Sequence, residues 1–317
     1  MIKKIICILF CIGVSMKTTT PTLAKVNIIT HGEKTSLGAD AHERDLGKRE
    51  NHTLPLEEEK KLLRKLLTFD LGRFLLENKG LNGYWTSYII LHGPQKKDLG
   101  SLEDWVLNRA PAVKATRERF FIFQGILQKN LKSHTKITSI PCGVMDDLLH
   151  LNYEGKKEIH LVGLDLDQKS LELAKENAQK KGYENTSFRK QDAWLLDEKN
   201  SYDIITSNGL NIYESDDDKV TKLYQNFNQA LKPGGILITS FLTPPPALSK
   251  ESSWRNYDKG DALKQKAVFG DILQVSWQSF RTEAQTRKQL QKAGFDDIEI
   301  IYDSQGMFPT VVARKRK

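Results

Sequence analysis

Sulfur is scarce in this chain of 317 residues, which holds three cysteines (Cys7, Cys11 and Cys142) and four methionines. Two of the cysteines sit in an apolar leader and the third follows a strand-like run, so no disulfide framework is implied. The seven histidines are scattered, with no HExxH and no Cys/His cluster, and no metal site is expected. The apolar run Ile5 to Val14 is too short to span a bilayer, which takes about 20 residues. A basic stripe interleaved with stacking aromatics is also missing. The formal charge is +8, but part of that excess lies in the tail Arg314-Lys315-Arg316-Lys317, and a nucleic-acid partner is not expected. No GxGxxG follows the first strand, which counts against a nucleotide-binding oxidoreductase.

What is present falls into four stretches. Residues 1–24 pair Lys3-Lys4 with an apolar run and then Thr22-Leu23-Ala24, the three-part pattern of a secretory signal, while Met16 offers a shorter start. Residues 25–53 are polar and without apolar period, and are expected to form a disordered arm. From 54 to 132 the pattern is helical: Leu63, Leu67, Leu71 and Phe74 recur on one stripe that Gly80 and Gly83 end, and a further helix runs from Val113 to Leu131. From 133 to 317 strands and helices alternate. Strands are expected at 136–140, 158–166, 187–193, 202–207, 235–241, 298–302 and 308–314. The fold expected is therefore α/β, a doubly wound, mainly parallel seven-stranded sheet with a C-terminal antiparallel hairpin, preceded by a helical cap. The long segment 242–280 is an insertion and a candidate lid.

In open α/β sheets ligands bind beyond the carboxyl ends of the strands, where the strand order reverses. The loops there read SIPCGVMDDLL (139–149), DLD (165–167), QDAW (191–194) and SNGLNIYE (207–214). Asp165 ends the second strand, where a carboxylate accepts two hydrogen bonds from a ribose diol. Asp192 is placed to read an adenine amine, Gly143 lets backbone approach a ligand, and Asn208-Gly209 faces the reactive end. Any one of these has a plainer use as a turn or helix-cap residue; their succession in this order points to one nucleoside ligand.

That succession resembles the class I S-adenosylmethionine (SAM)-dependent methyltransferases from about Lys136 onward. The carriers are GLDLDQKSLELAKENA (163–178), FRKQDAW (188–194), YDIITSNGL (202–210) and LKPGGILITSF (231–241). The first-strand motif of the family, acidic-x-Gly-x-Gly-x-Gly, is reduced here to Gly143, with Ser139 in the acidic position. The helical stretches LGRFLLENKGLNGYW (71–85) and ATRERF (115–120) are similar to a bacterial branch of that superfamily. The resemblance implies SAM as cofactor and contacts to it from Ser139, Pro141, Cys142, Gly143, Asp146, Asp165, Leu166, Asp192, Ala193, Asn208 and Gly209, with Asp146 or Asp147 taking the ammonium.

The acceptor is less legible. Exocyclic nitrogen methylation uses an Asn/Asp-Pro-Pro-aromatic motif where this chain has Ser207-Asn208-Gly209-Leu210, and cytosine C5 chemistry needs a cysteine there. A small-molecule acceptor is expected, with a protein side chain, or SAM binding without catalysis, as the alternatives. Asn211, Tyr213 and Glu214 are candidates to orient the acceptor. Tyr84, Trp85, Arg117 and Trp254 are candidate acceptor contacts, and Arg119 is placed to reach either the SAM carboxylate or an acidic acceptor. In the insertion Tyr257, Phe269 and Trp277 add aromatic surface for a lid. Because SAM is made and kept in the cytosol, a cytoplasmic enzyme is expected, with export the alternative if the leader is a true signal.

Overall fold

The structure, a computed structural model, describes residues 38–317, so the apolar leader and the first part of the polar arm lie outside it. The arm is not structureless in its described part. Helix α1 (Ala39–Gly47) docks through Leu46, which is buried against the helices that follow, and Arg64 grips Glu43 with two hydrogen bonds. A single buried leucine produces no apolar period, which is why the pattern suggested disorder. The expected long helix after Leu56 is two, α2 (Leu56–Leu66) and α3 (Asp70–Asn78). The chain turns between them with the Thr68 hydroxyl donating to the Lys65 carbonyl, and Gly72 lies on the Leu66 carbonyl, where a Cβ would be 2.1 Å from the oxygen.

Asn82 caps α4 (Gly83–Ser87) by accepting from the Trp85 N–H at 2.9 Å, and the helix runs on into a π-helical turn at Tyr88–His92. After α5 (Ser101–Asp104) comes a second π-helical turn, Trp105–Arg109, then α6 (Pro111–Asn130), opened by a proline at its first position. The Arg117 guanidinium donates to the carbonyls of Ile89 (3.0 Å) and Leu107 (2.5 Å), so it ties both π turns to α6.

The sheet follows: β1 (Lys136–Ser139), α7 (Asp146–Leu149), β2 (His160–Asp165), α8 (Gln168–Lys180), β3 (Thr186–Lys190), β4 (Tyr202–Ser207), α9 (Asp217–Ala230), β5 (Leu231–Ser240), α10 (Lys259–Gln265), α11 (Glu283–Lys292), β6 (Phe295–Ile301) and β7 (Thr310–Lys315). Its order is β3-β2-β1-β4-β5-β7-β6, parallel except for β7, which runs antiparallel to both neighbours. The order reverses between β1 and β4. On one face Tyr224, Phe227 and Leu290 of α9 and α11 pack on Ile205 and Leu237. On the other, Phe123 and Leu127 of α6 join Ala174 and Ala178 of α8 over Ile137, Leu161 and Ile204. Helix α6 thus serves both the helical region and the sheet. From the 242–280 insertion, Val268, Phe269, Ile272 and Leu273 are buried with Leu63, Trp85 and Trp105 of the helical region. Among the described residues no helix is long and apolar enough to cross a membrane.

Candidate functional site

At the carboxyl ends of β1, β2 and β4 lies a cavity of about 290 Å³, at the lower end of the range for organic-ligand pockets. Its floor is the loop after β1 together with Asp165, Leu166 and Asp167 after β2 and Asn208, Gly209 and Leu210 after β4. The helical region forms the roof, through Leu71, Leu75, Asn82, Gly83, Ile89 and Ile90, and α6 adds Val113, Arg119 and Phe120. Phe269 and Trp277 from the insertion and Phe308 before β7 complete the wall.

Asp165 is held at the end of β2 by two backbone donors, Gly143 N–H to Oδ2 at 2.8 Å and Asp167 N–H to Oδ1 at 2.9 Å. Burial pushes its carboxyl up to about 6 against those hydrogen bonds, which favour the ionised form. Asp167 caps α8, accepting from Lys169 and Ser170 N–H and from the Ser170 hydroxyl at 2.7 Å. The acidic position of the first-strand loop is filled from elsewhere. Ser139, which stands there, donates its hydroxyl to Asp147 Oδ2 at 2.8 Å, and Thr206 of β4 donates to the same oxygen at 3.1 Å. Asp147 is buried, which pushes its carboxyl up to about 6, and its other oxygen accepts from Leu148 N–H. Its neighbour Asp146 is not engaged in this way. Asp146 and Asn208 line the cavity, and each carries a buried oxygen, Asp146 Oδ2 and Asn208 Oδ1, without a hydrogen-bond partner among the described residues. Buried polar atoms are rarely left so, and two such acceptors on cavity-lining residues fit a donor-bearing ligand.

Gly143 adopts φ +52°, and a Cβ there would sit 3.0 Å from Gly83 Cα, while one on Gly83 would come within 2.6 Å of Gly143 Cα. The bare backbone expected to face a ligand therefore also receives the helical region, glycine against glycine. Cys142 is buried beside it, and burial pushes its thiol up.

Of the residues expected to hold a cofactor, Ser139, Pro141, Cys142, Gly143, Asp146, Asp165, Leu166, Asn208 and Gly209 all line this cavity. Asp192 and Ala193 do not. Asp192 Oδ1 accepts from Trp194 N–H at 2.9 Å at the open end of the β3 loop, beyond the enclosed volume, and Leu166 and Leu195 are exposed on that side. The candidates for orienting an acceptor separate. Tyr213 lines the cavity and burial raises its phenol pKa well above the usual range, so it stays protonated. Asn211 turns inward, its amide donating to the Tyr224 hydroxyl at 2.9 Å, and Glu214 accepts from Asp216 N–H and pairs with Lys219. Neither lines the cavity, although Leu210, Ile212 and Tyr213 of the same turn do.

The four candidate acceptor contacts need the same correction. Tyr84, Trp85, Arg117 and Trp254 are not cavity-lining residues. Trp85 is packed edge-on against Tyr84 and Tyr88 within the helical core, and Arg117 is occupied by the two carbonyls described above. Trp254 donates to Thr243 and packs edge-on against Tyr257. The insertion does reach the cavity, but through Phe269 and Trp277. Sequence reasoning missed Asn82 and Gly83, although the Asn-Gly pair at a helix start was a visible capping signal.

Residues 131–294 match a family model described as a methyltransferase domain. Among solved structures, a protein from Bordetella parapertussis described as a possible exported protein is similar over 88% of this chain and 94% of its own, at 43% identity and a TM-score of 0.84. The apo form of SibL, a SAM-dependent methyltransferase, is similar over 83% of this chain and 78% of its own, at 13% identity and a TM-score of 0.51, a likeness of fold alone. Among curated proteins no sequence matches.

Proposed function

The chain belongs to the methyltransferase-domain family, and on that premise we propose that it binds SAM over the loops after β1 to β4 and methylates a small molecule inside the cavity. The observation that carries this reading is the pair of buried, unpartnered acceptors, Asp146 Oδ2 and Asn208 Oδ1. They suit the ammonium of an amino-acid ligand. Asp165 suits its ribose, because each carboxylate oxygen keeps a lone pair after accepting one backbone N–H. Leu166 and Ala193 flank the place for adenine, and Asp192 has one oxygen left for the exocyclic amine. When bound, SAM supplies a methyl already activated on a sulfonium.

The chain's own part is to align the acceptor and keep water out. Leu71, Ile89, Phe120, Phe269 and Trp277 give the acceptor side apolar walls, and Tyr213, keeping its proton, serves as a hydrogen-bond donor there. A helical roof over the cavity suits a compact molecule better than a protein side chain on its backbone. Labelled SAM, incubated with the protein and separated small-molecule and protein extracts of its host, tests this. Label in the small-molecule fraction is the expected result. Label only in the protein fraction supports a protein-directed enzyme, and SAM binding with no transfer supports a binder.

We place the enzyme in the cytoplasm, where SAM is made. The leader pattern and the description of the Bordetella protein favour export as a second reading. N-terminal sequencing of protein from its host decides: a start at Met1 or Met16 supports the cytoplasm, and a start near Lys25 supports export.

A further inference from the structure

Arg119 is buried to 5% exposure on α6 and, among the described residues, is the one Lys, Arg or His that lines the cavity. Its guanidinium donates from one terminal nitrogen to the Ser240 hydroxyl at 3.2 Å and lies 4.7 Å over the Phe308 ring. Its Nε is buried with no hydrogen-bond partner. The nearby Asp303 is fully buried and spends its oxygens on the N–H groups of Gln305, Met307 and Phe308. Burial lowers the Arg119 pKa to about 10, which leaves it charged at neutral pH. The Asp303 charge favours the cation from nearby, but a buried donor left without a partner is costly, and a cavity that keeps one is built for an acceptor on its ligand.

Its position says which. A Cβ on Gly209 would lie 3.3 Å from the Arg119 terminal nitrogen, so the cation stands at the ends of β4 and β5. Every acidic residue lining the cavity, Asp146, Asp147, Asp165 and Asp167, lies on the loops after β1 and β2 instead. The cavity thus carries its carboxylates at the β1 and β2 loops and its cation at the ends of β4 and β5. Resting on the methyltransferase reading above, we infer that the acceptor is an apolar molecule bearing a single carboxylate, which Arg119 holds through Nε and a terminal nitrogen. One cation and one hydroxyl match a monoanion; a phosphate dianion would leave a charge unpaired in a dry site.

The test is calorimetric titration of protein saturated with S-adenosylhomocysteine, the demethylated product. Phenylacetate, phenylacetamide and phenyl phosphate are the probes. Phenylacetate is expected to bind at least tenfold more tightly than the other two. Arg119→Gln is expected to erase that preference and leave affinity for the demethylated product within twofold. Equal binding of acid and amide, no binding of any probe, or tighter binding of the phosphate overturns the inference. So does a tenfold loss of product affinity in the variant, which would put Arg119 on the SAM carboxylate. Should Arg119→Gln not fold, Arg119→Lys, which keeps the charge and removes the two-donor fork, is expected to weaken phenylacetate at least fivefold with product affinity within twofold, and unchanged phenylacetate affinity overturns the inference. Failure of the wild-type protein to bind S-adenosylhomocysteine at all would instead remove the methyltransferase reading beneath it.

Discussion

Asp165 concentrates much of the site's chemistry, and its behaviour with pH follows from its burial. The folded protein keeps a proton there up to about pH 6, whereas the unfolded chain releases it near pH 4. The stability from that proton is present below about pH 4 and is lost as pH rises through 6. Ribose hydroxyls donate more strongly to the ionised form, so affinity for S-adenosylhomocysteine should rise by up to about tenfold from pH 5 to pH 7. Asp165→Asn should flatten that profile and weaken binding at pH 7 by about 2 kcal/mol. A slope that survives in Asp165→Asn would assign the titration to Asp147, which burial also raises to about 6. The two tryptophans behave otherwise. Trp85→Ala and Trp254→Ala should each lose about 3 kcal/mol of stability by denaturant unfolding, with product affinity of the folded protein unchanged. Altered acceptor choice at unchanged stability would return them to the acceptor site. Asp165 and Asn208 were legible in the sequence because strand ends are legible. Trp254 was not, because an aromatic in a long insertion has no period to say which way it faces.

Between elements, the contact that matters most is Gly83 of α4 against Gly143 of the β1 loop. An added methyl on Gly83 meets backbone at 2.6 Å, which side-chain movement cannot relieve. Gly83→Ala should therefore lift the roof from the nucleoside loop, weakening S-adenosylhomocysteine binding at least tenfold with a stability loss of about 1–3 kcal/mol. Gly125→Ala on α6, where a Cβ meets nothing within 4 Å, is the control and should leave binding unchanged. Helix α1 gives a second prediction at this scale. Relative to a chain shortened to begin at residue 38, removal up to Thr53 takes away Leu46, the His52–Glu59 contact at 2.7 Å and the Thr53 bond to Asp271. The longer truncation should cost about 2–5 kcal/mol in denaturant unfolding, as loss of a buried leucine does. The strands were readable from alternation and turn residues, and β4 begins and ends as expected. The break between α2 and α3 was not, since the apolar stripe continues across it and only the packing of Gly72 on Leu66 separates the two.

At the scale of the whole molecule, the sequence carried the sheet and its ligand end, while the relation of cap to core came only with the structure. Helix α6 is the reason. Its one length packs Phe123 and Leu127 on the sheet and turns Arg119 into the cavity, so no sequence boundary separates the part that binds the nucleoside from the part that encloses the acceptor. The first-strand loop keeps only Gly143 of the glycines expected there, and Ser139 in the acidic position donates to Asp147. Both changes fit a loop pressed from above by a helical roof. Whether this altered loop still holds SAM decides the function of the whole molecule. Native mass spectrometry of the purified full chain, titrated with S-adenosylhomocysteine and in parallel with NAD, tests it directly. One S-adenosylhomocysteine per chain at micromolar concentration, lost in the Asp165→Ala variant and not displaced by NAD, is the result predicted. NAD retained in its place, or no adduct as the titration approaches millimolar, would contradict it.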